Sequence, residues 1–394
     1  MSSENPLAVE EAVGPPIDAL SAAAAIYLGT LSLLMVGVMP ALLGALVDAG
    51  RLTDAGLGLC ATLESLTIAI SAGLCAALLK PSRLRWVAGL SALALALLDL
   101  ASIPADGTGL MIVRTFAGIP EGILLWVTVG MIARSQTPER IAGLFWTSFV
   151  AGQLLLALLF VYLIPHFGPA GGFAALALTA FSGMAAAARM PRAYASLPGE
   201  ETGGTPPPRG WIALLATLFF TAASGAVMVY LQPMAHEAGL SGDVARTALW
   251  ISLAAQVLGG LSATALAGRI HYFAVFVAAS AVFIASWYLF TIHPPAWLFL
   301  LANATSGFVL VMAGAFFVPM LIEADPSRRT AMQSGAVQLL AGALGPLLAS
   351  FVVDDRKVFG VIVLGVSLII GSLALMTGLH VMAVRERRAM TRTH

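Results

Sequence analysis

The sequence predicts an all-α polytopic membrane protein: twelve transmembrane helices arranged as two pseudo-symmetric six-helix bundles. Three observations carry that prediction. Of 394 residues, 59% are hydrophobic and only 10% charged, with a mean hydropathy of +0.93; water-soluble domains run at about 45–50% apolar. Apolar runs of about 20 residues, the length that crosses a bilayer core, recur twelve times between short polar turns. Between the sixth and seventh runs lies a stretch rich in Pro and Gly, 190–210, which divides the chain almost in half and reads as a flexible linker.

In chain order, 1–18 is an acidic tail without the basic start of a signal peptide. The first bundle is expected over 19–189. Its spans run from about Ala19 to Val47, Ala55 to Leu79, Trp86 to Ile103, Gly109 to Met131, Ile141 to Ile164 and Ala170 to Ala188. The second bundle is expected over 211–384, with spans from about Trp211 to Ala235, Thr247 to Ala267, Tyr272 to Ile292, Ala296 to Ile322, Thr330 to Val353 and Val358 to Val384. A basic tail, 385–394, closes the chain. Cys60 and Cys75 fall in one span, about 22 Å apart along a helix, too far for a disulfide.

Basic residues alternate between loops. One set of loops and ends holds Lys80, Arg83, Arg85, Arg134, Arg140, Arg189, Arg192, Arg209, Arg269, Arg328, Arg329 and the tail arginines; the other holds Arg51, Arg246, Arg356 and Lys357. This asymmetry places both termini and the linker on the cytoplasmic side of a cytoplasmic (inner) membrane.

The fourth span is the chemical centre. Arg114-Thr-Phe-Ala-Gly118-Ile-Pro120-Glu121-Gly122 puts a base, an acid, two glycines and a proline at a depth where ionisable groups are expensive and mark pathways or proton sites. Arg114 and Glu121 lie two turns apart on one helix face, about 10 Å along the axis. Glu64, midway along the second span, is either a proton site or a partner of Arg114. Asp99, in the third span, lies at a depth that also suits Arg114 and reads as structural. Glu64, Arg114 and Glu121 are the expected proton-coupling set.

The halves echo each other. Pro40 answers to Pro233, Pro120 to Pro319, Gly73 to Gly260, and Thr137-Pro138-Glu139-Arg140 to Asp325-Pro326-Ser327-Arg328, at offsets of 187 to 199 residues. Parallel repeats of this kind occur in transporters whose site lies between the halves near the midplane. At this point the sequence resembles the major facilitator superfamily over nearly its whole length, most sharply at Arg114-x-x-x-Gly118-x-x-x-Gly122, which is similar to that superfamily's fourth-helix signature. The resemblance implies the fold of that superfamily, a cavity between two bundles, alternating access and proton coupling at Arg114. The chain departs from the pattern in two places. The basic turn Lys80, Arg83 and Arg85, the expected cytoplasmic gate loop, lacks the acid that normally precedes it. The Gly-Pro signature of antiporters is absent from span five, while Gly342-x-x-Gly345-Pro346 stands in span eleven.

Trp126, Gln232, Gln256, Asn303 and Gln338 are the candidate cavity residues; each amide is otherwise a helix-packing group. Pro40, Gly118, Pro120, Gly122, Pro233 and Pro319 are the candidate helix breaks and gating points. The expected function is a secondary active transporter of a small organic solute, coupled to protons. The alternatives are a proton-driven drug or sugar exporter in place of an importer, and a non-transporting membrane sensor. No enzyme is expected: there is no His-Glu-x-x-His, and no Gly-x-x-x-x-Gly-Lys-Ser/Thr loop for ATP. No cofactor or metal is called for. Zero formal net charge leaves no electrostatic footprint for nucleic acid. The expected partners are the substrate, protons and lipid, with a monomer as the working unit.

Overall fold

The computed structural model describes residues 17–197, 206–353 and 359–392. Most of the acidic N-terminal tail, the middle of the linker, the turn carrying Arg356 and Lys357, and the last two residues lie outside the described residues. The chain is helical almost throughout: α1 Ala19–Asp48, α2 Asp54–Leu78, α3 Leu84–Ser102, α4 Gly107–Ala133, α5 Pro138–Arg189, α6 Pro208–Val229, α7 Leu231–Glu237, α8 Gly242–Leu266, α9 Tyr272–Thr291, α10 Ala296–Gly314, α11 Phe317–Ala324, α12 Arg329–Met332, α13 Ser334–Ser350 and α14 Phe359–Arg392. Ten stretches among the described residues are long and apolar enough to cross a membrane, and α13 is a shorter apolar helix. One of the ten, the 52-residue α5, is two helical arms meeting at Gly168, whose φ of 64° only glycine adopts freely. Counting it twice and adding α13 gives the twelve spans.

Local chemistry sets the ends. Asp18 accepts the Ser21 N–H at 2.9 Å and opens α1, and the Thr53 hydroxyl accepts from Gly56 to open α2, as N-caps do. Pro138 and Pro208 start α5 and α6, where a missing N–H is harmless.

By packing, the chain divides into two units: Met1–Gln136 with Ser148–Glu201, and Thr137–Thr147 with Thr202–His394. In the first, α4 is the hub, packed on α2, α3 and α1. In the second, α10 packs on α8 and α9, and α6 on α13 and α14. The α2–α4 pairing thus recurs as α8–α10. Both rest on missing side chains: a Cβ on Gly118 or Gly122 would come within 2.7 and 2.6 Å of the Glu64 and Ile68 carbonyl oxygens of α2, and one on Gly259 would run into the Phe308 carbonyl of α10.

Four expectations need correction. Pro120 does not interrupt its span: α4 is continuous from Gly107 to Ala133, clamped by neighbours along its length, and the Ser71 hydroxyl of α2 donates to the Ile119 carbonyl beside it. Pro40 likewise lies within an unbroken α1. Pro233 and Pro319 do accompany breaks, but each stands in the first turn of the piece that follows, α7 or α11. There the absent N–H costs nothing, and the preceding turn opens to avoid the ring. The linker is not free at its start: Met190, Tyr194 and Leu197 are buried, because these apolar side chains anchor it to the first unit. Finally, α14 runs on through the basic tail to Arg392.

Candidate functional site

In the first unit, Arg114 is fully buried on α4 and meets three acids from three directions. Its Nη1 donates to Asp99 Oδ1 of α3 at 2.6 Å. Its Nε donates to Glu64 Oε2 of α2 at 3.0 Å, and its Nη2 to Glu64 Oε1, a two-pronged pairing that suits the planar guanidinium. Glu121, two turns along α4, stands with Oε1 3.6 Å from Nη2. Gly118, midway between Arg114 and Glu121, is what lets α2 come close enough to deliver Glu64. The Phe173 ring covers the guanidinium, 5.9 Å from Cζ.

The sequence left open whether Asp99 or Glu64 partners Arg114; both do. Asp99, expected as a peripheral structural acid, belongs to the cluster. One fixed positive charge faces three carboxyls, so full ionisation would leave a net charge of minus two in a buried site. Such an excess is costly in low dielectric. Glu121 is the acid the arginine holds least: its near oxygen is at 3.6 Å, and its Oε2 has no hydrogen-bond partner. Beside it lies a void of about 10 Å³ lined by Asp99, Glu121, Thr179 and aliphatic side chains, close to the smallest space that holds one water, about 10–15 Å³.

The other predicted residues scatter. Trp126 is buried in α4. Asn303 is buried and donates to the Ala248 carbonyl at 2.6 Å, tying α10 to α8. Gln256 donates to Ser252 one turn back on its own helix. Gln232 is exposed and Gln338 half-buried. Lys80 and Arg83 lie in the turn between α2 and α3, and Arg85 in the first turn of α3.

Two buried polar groups escaped the sequence reading. Gln153 of α5 donates to the Leu33 carbonyl of α1 at 3.0 Å. Arg134, read as part of a basic turn, donates to the Ala195 carbonyl and lies over the Tyr194 ring at 5.5 Å. Burial pushes the Tyr194 phenol up, against the pull of Arg134. An aromatic inside a Pro- and Gly-rich stretch was the available signal.

No family profile matches the sequence. Solved structures do match the fold. The human organic anion transporter MFSD10 (TETRAN) aligns with a TM-score of 0.73 at 16% identity, over 92% of this chain and all of that one. The major facilitator superfamily transporter FucP, in its outward conformation, aligns at 0.72 and 13% identity, over 91% and 98% of the two chains. The proton:xylose symporter XylE, bound to 6-bromo-6-deoxy-D-glucose, aligns at 0.70 and 13%, over 91% and 94%. The chain therefore has the fold of the major facilitator superfamily transporters.

Proposed function

We propose that this protein is a secondary active transporter of a small organic solute, working by alternating access and coupled to protons through the Arg114 cluster. The observation that carries the reading is Glu121: a buried carboxyl whose Oε2 is unpartnered beside a water-sized void, next to an arginine already engaged by Glu64 and Asp99. In this reading Glu121 holds the exchangeable proton. Arg114 supplies the fixed charge that makes the ionised state tolerable once the proton leaves. Glu64 and Asp99 hold the guanidinium, so a change at Glu121 is felt by α2 and α3 together. The fold neighbours include an organic anion transporter and a proton:xylose symporter, which supports organic anions and sugars as the first solutes to test. The alternating basic loops support cytoplasmic termini in an inner membrane.

The test is a thermal-shift screen of organic acids, sugars and lipophilic cations at acidic and neutral pH, followed by uptake in proteoliposomes with an imposed proton gradient. Glu121→Gln is expected to abolish gradient-driven accumulation of the solute found while retaining solute exchange. Full proton-driven accumulation by that variant overturns the assignment.

A further inference from the structure

A second site lies in the first unit, away from the charge cluster. The turn after α2 and the segment after α5 are zipped together. Ser82 and Ala193 form an isolated antiparallel bridge; the Leu84 N–H donates to the Arg192 carbonyl at 3.0 Å and the Tyr194 N–H to the Pro81 carbonyl at 3.0 Å. The Arg85 Nε donates to the Met190 carbonyl. Arg83 takes φ 55°, a left-handed conformation uncommon without glycine. This register brings Arg83, Arg85 and Arg192 to one open groove of about 1100 Å³ between α3 and the end of α5. Among the described residues no acid lines the groove, and none of the three arginines has a carboxylate within ion-pair distance.

Away from the arginines, the groove walls are hydrocarbon. Trp86, 73% exposed, and Leu90, 60% exposed, stand on α3, with Met184 opposite on α5. Gly89 leaves the floor open: a Cβ there would meet only Ala187, at 3.8 Å. The volume lies just above the roughly 300–1,000 Å³ typical of ligand pockets. Three like charges held together by backbone pairing, with no described carboxylate against them, favour an anion. Arginine suits phosphate, and a tryptophan at the end of a span marks the membrane interface.

We propose that this groove binds an anionic phospholipid. The phosphate would sit among Arg83, Arg85 and Arg192, and an acyl chain along Trp86, Leu90 and Met184. A zwitterionic lipid brings its own ammonium to an already positive site and is disfavoured. A free phosphate leaves the apolar wall unused.

Native mass spectrometry of the detergent-purified protein, titrated with phosphatidylglycerol or phosphatidylcholine, tests this, with a thermal shift on glycerol phosphate as the soluble arm. Phosphatidylglycerol should be retained over phosphatidylcholine, and glycerol phosphate should stabilise far less. Arg83→Gln and Arg192→Gln should each weaken phosphatidylglycerol binding about fivefold, the effect of one basic residue at an anionic surface. Gly89→Leu fills the groove without touching charge and should also expel the lipid; it decides the matter if the arginine variants fold poorly. The proposal is overturned if both lipids are retained equally, if glycerol phosphate protects as well as phosphatidylglycerol, or if Gly89→Leu binds phosphatidylglycerol like the parent.

Discussion

The two units share one pairing, α2 on α4 and α8 on α10, but fill their centres with opposite chemistry. At the middle of the first, Arg114 is ringed by Glu64, Asp99 and Glu121. At the middle of the second, Phe220 of α6 meets Phe276 and Phe283 of α9 at 5.5 Å each and Phe317 of α11 at 5.6 Å, in edge-to-face geometry. The Phe283 ring in turn stacks on Trp287 at 4.9 Å. Aromatic packing of this kind asks nothing of the protonation state. A buried charge set does, because each unpaired ion must be neutralised or compensated. The centre of the first unit is therefore a set of charges, and that of the second a set of neutral rings.

The most damaging way to break this contrast is Arg114→Leu. It leaves three acids buried without their cation and should destabilise the first unit by about 3–5 kcal/mol. Thermal unfolding in detergent would read the loss, and acidic buffer should restore part of it, because protonated carboxyls need no counter-ion. Phe220→Ala, at the matching centre of the second unit, should cost less. In lipid, the transfer from water that dominates such losses in soluble cores is largely missing, so the cavity remains as the main term, on the order of 2 kcal/mol. Its deficit should be the same at acidic and neutral pH. A pH-dependent Phe220→Ala, or a pH-indifferent Arg114→Leu, would erase the distinction.

Much of this was readable from the chain. Hydropathy and turn chemistry located most span ends to within a few residues, the end of α14 excepted, and depth singled out Arg114, Glu64, Glu121 and Asp99. Arg114, Gly118 and Gly122 recur every four residues, and the structure sets all three against α2. Convergence was not readable: depth places a residue along the membrane normal but not around it, so nothing in the sequence chose between Glu64 and Asp99 or showed that both reach the same guanidinium. Nor could the basic turn at Arg83 and Arg85 be joined to Arg192, since that union depends on backbone pairing across more than a hundred residues. The prolines misled for a related reason: Pro120 and Pro319 look alike in sequence, yet only the helix with a turn free to open broke.

The smallest effect concerns the turn leading into α12. The Asp325 carboxylate accepts from the Ser327 N–H at 3.1 Å and hydroxyl at 2.6 Å, and from the Thr330 N–H at 3.0 Å and hydroxyl at 2.7 Å. Burial pushes this carboxyl up, but the four donors outweigh it and hold it below its ordinary value. A group whose folded value is depressed contributes stability that is full above the unfolded value, near 3.9 for Asp, and is lost as pH falls through the folded one. Asp325→Asn should therefore cost about 1–2 kcal/mol at neutral pH, and the gap between variant and parent should close in acid. That would put a proton dependence in the second unit as well, in a turn and not among its aromatic rings. A variant whose deficit persists unchanged into strong acid would show that the turn depends on shape alone, and would leave the charge cluster of the first unit as the stronger case for proton sensing.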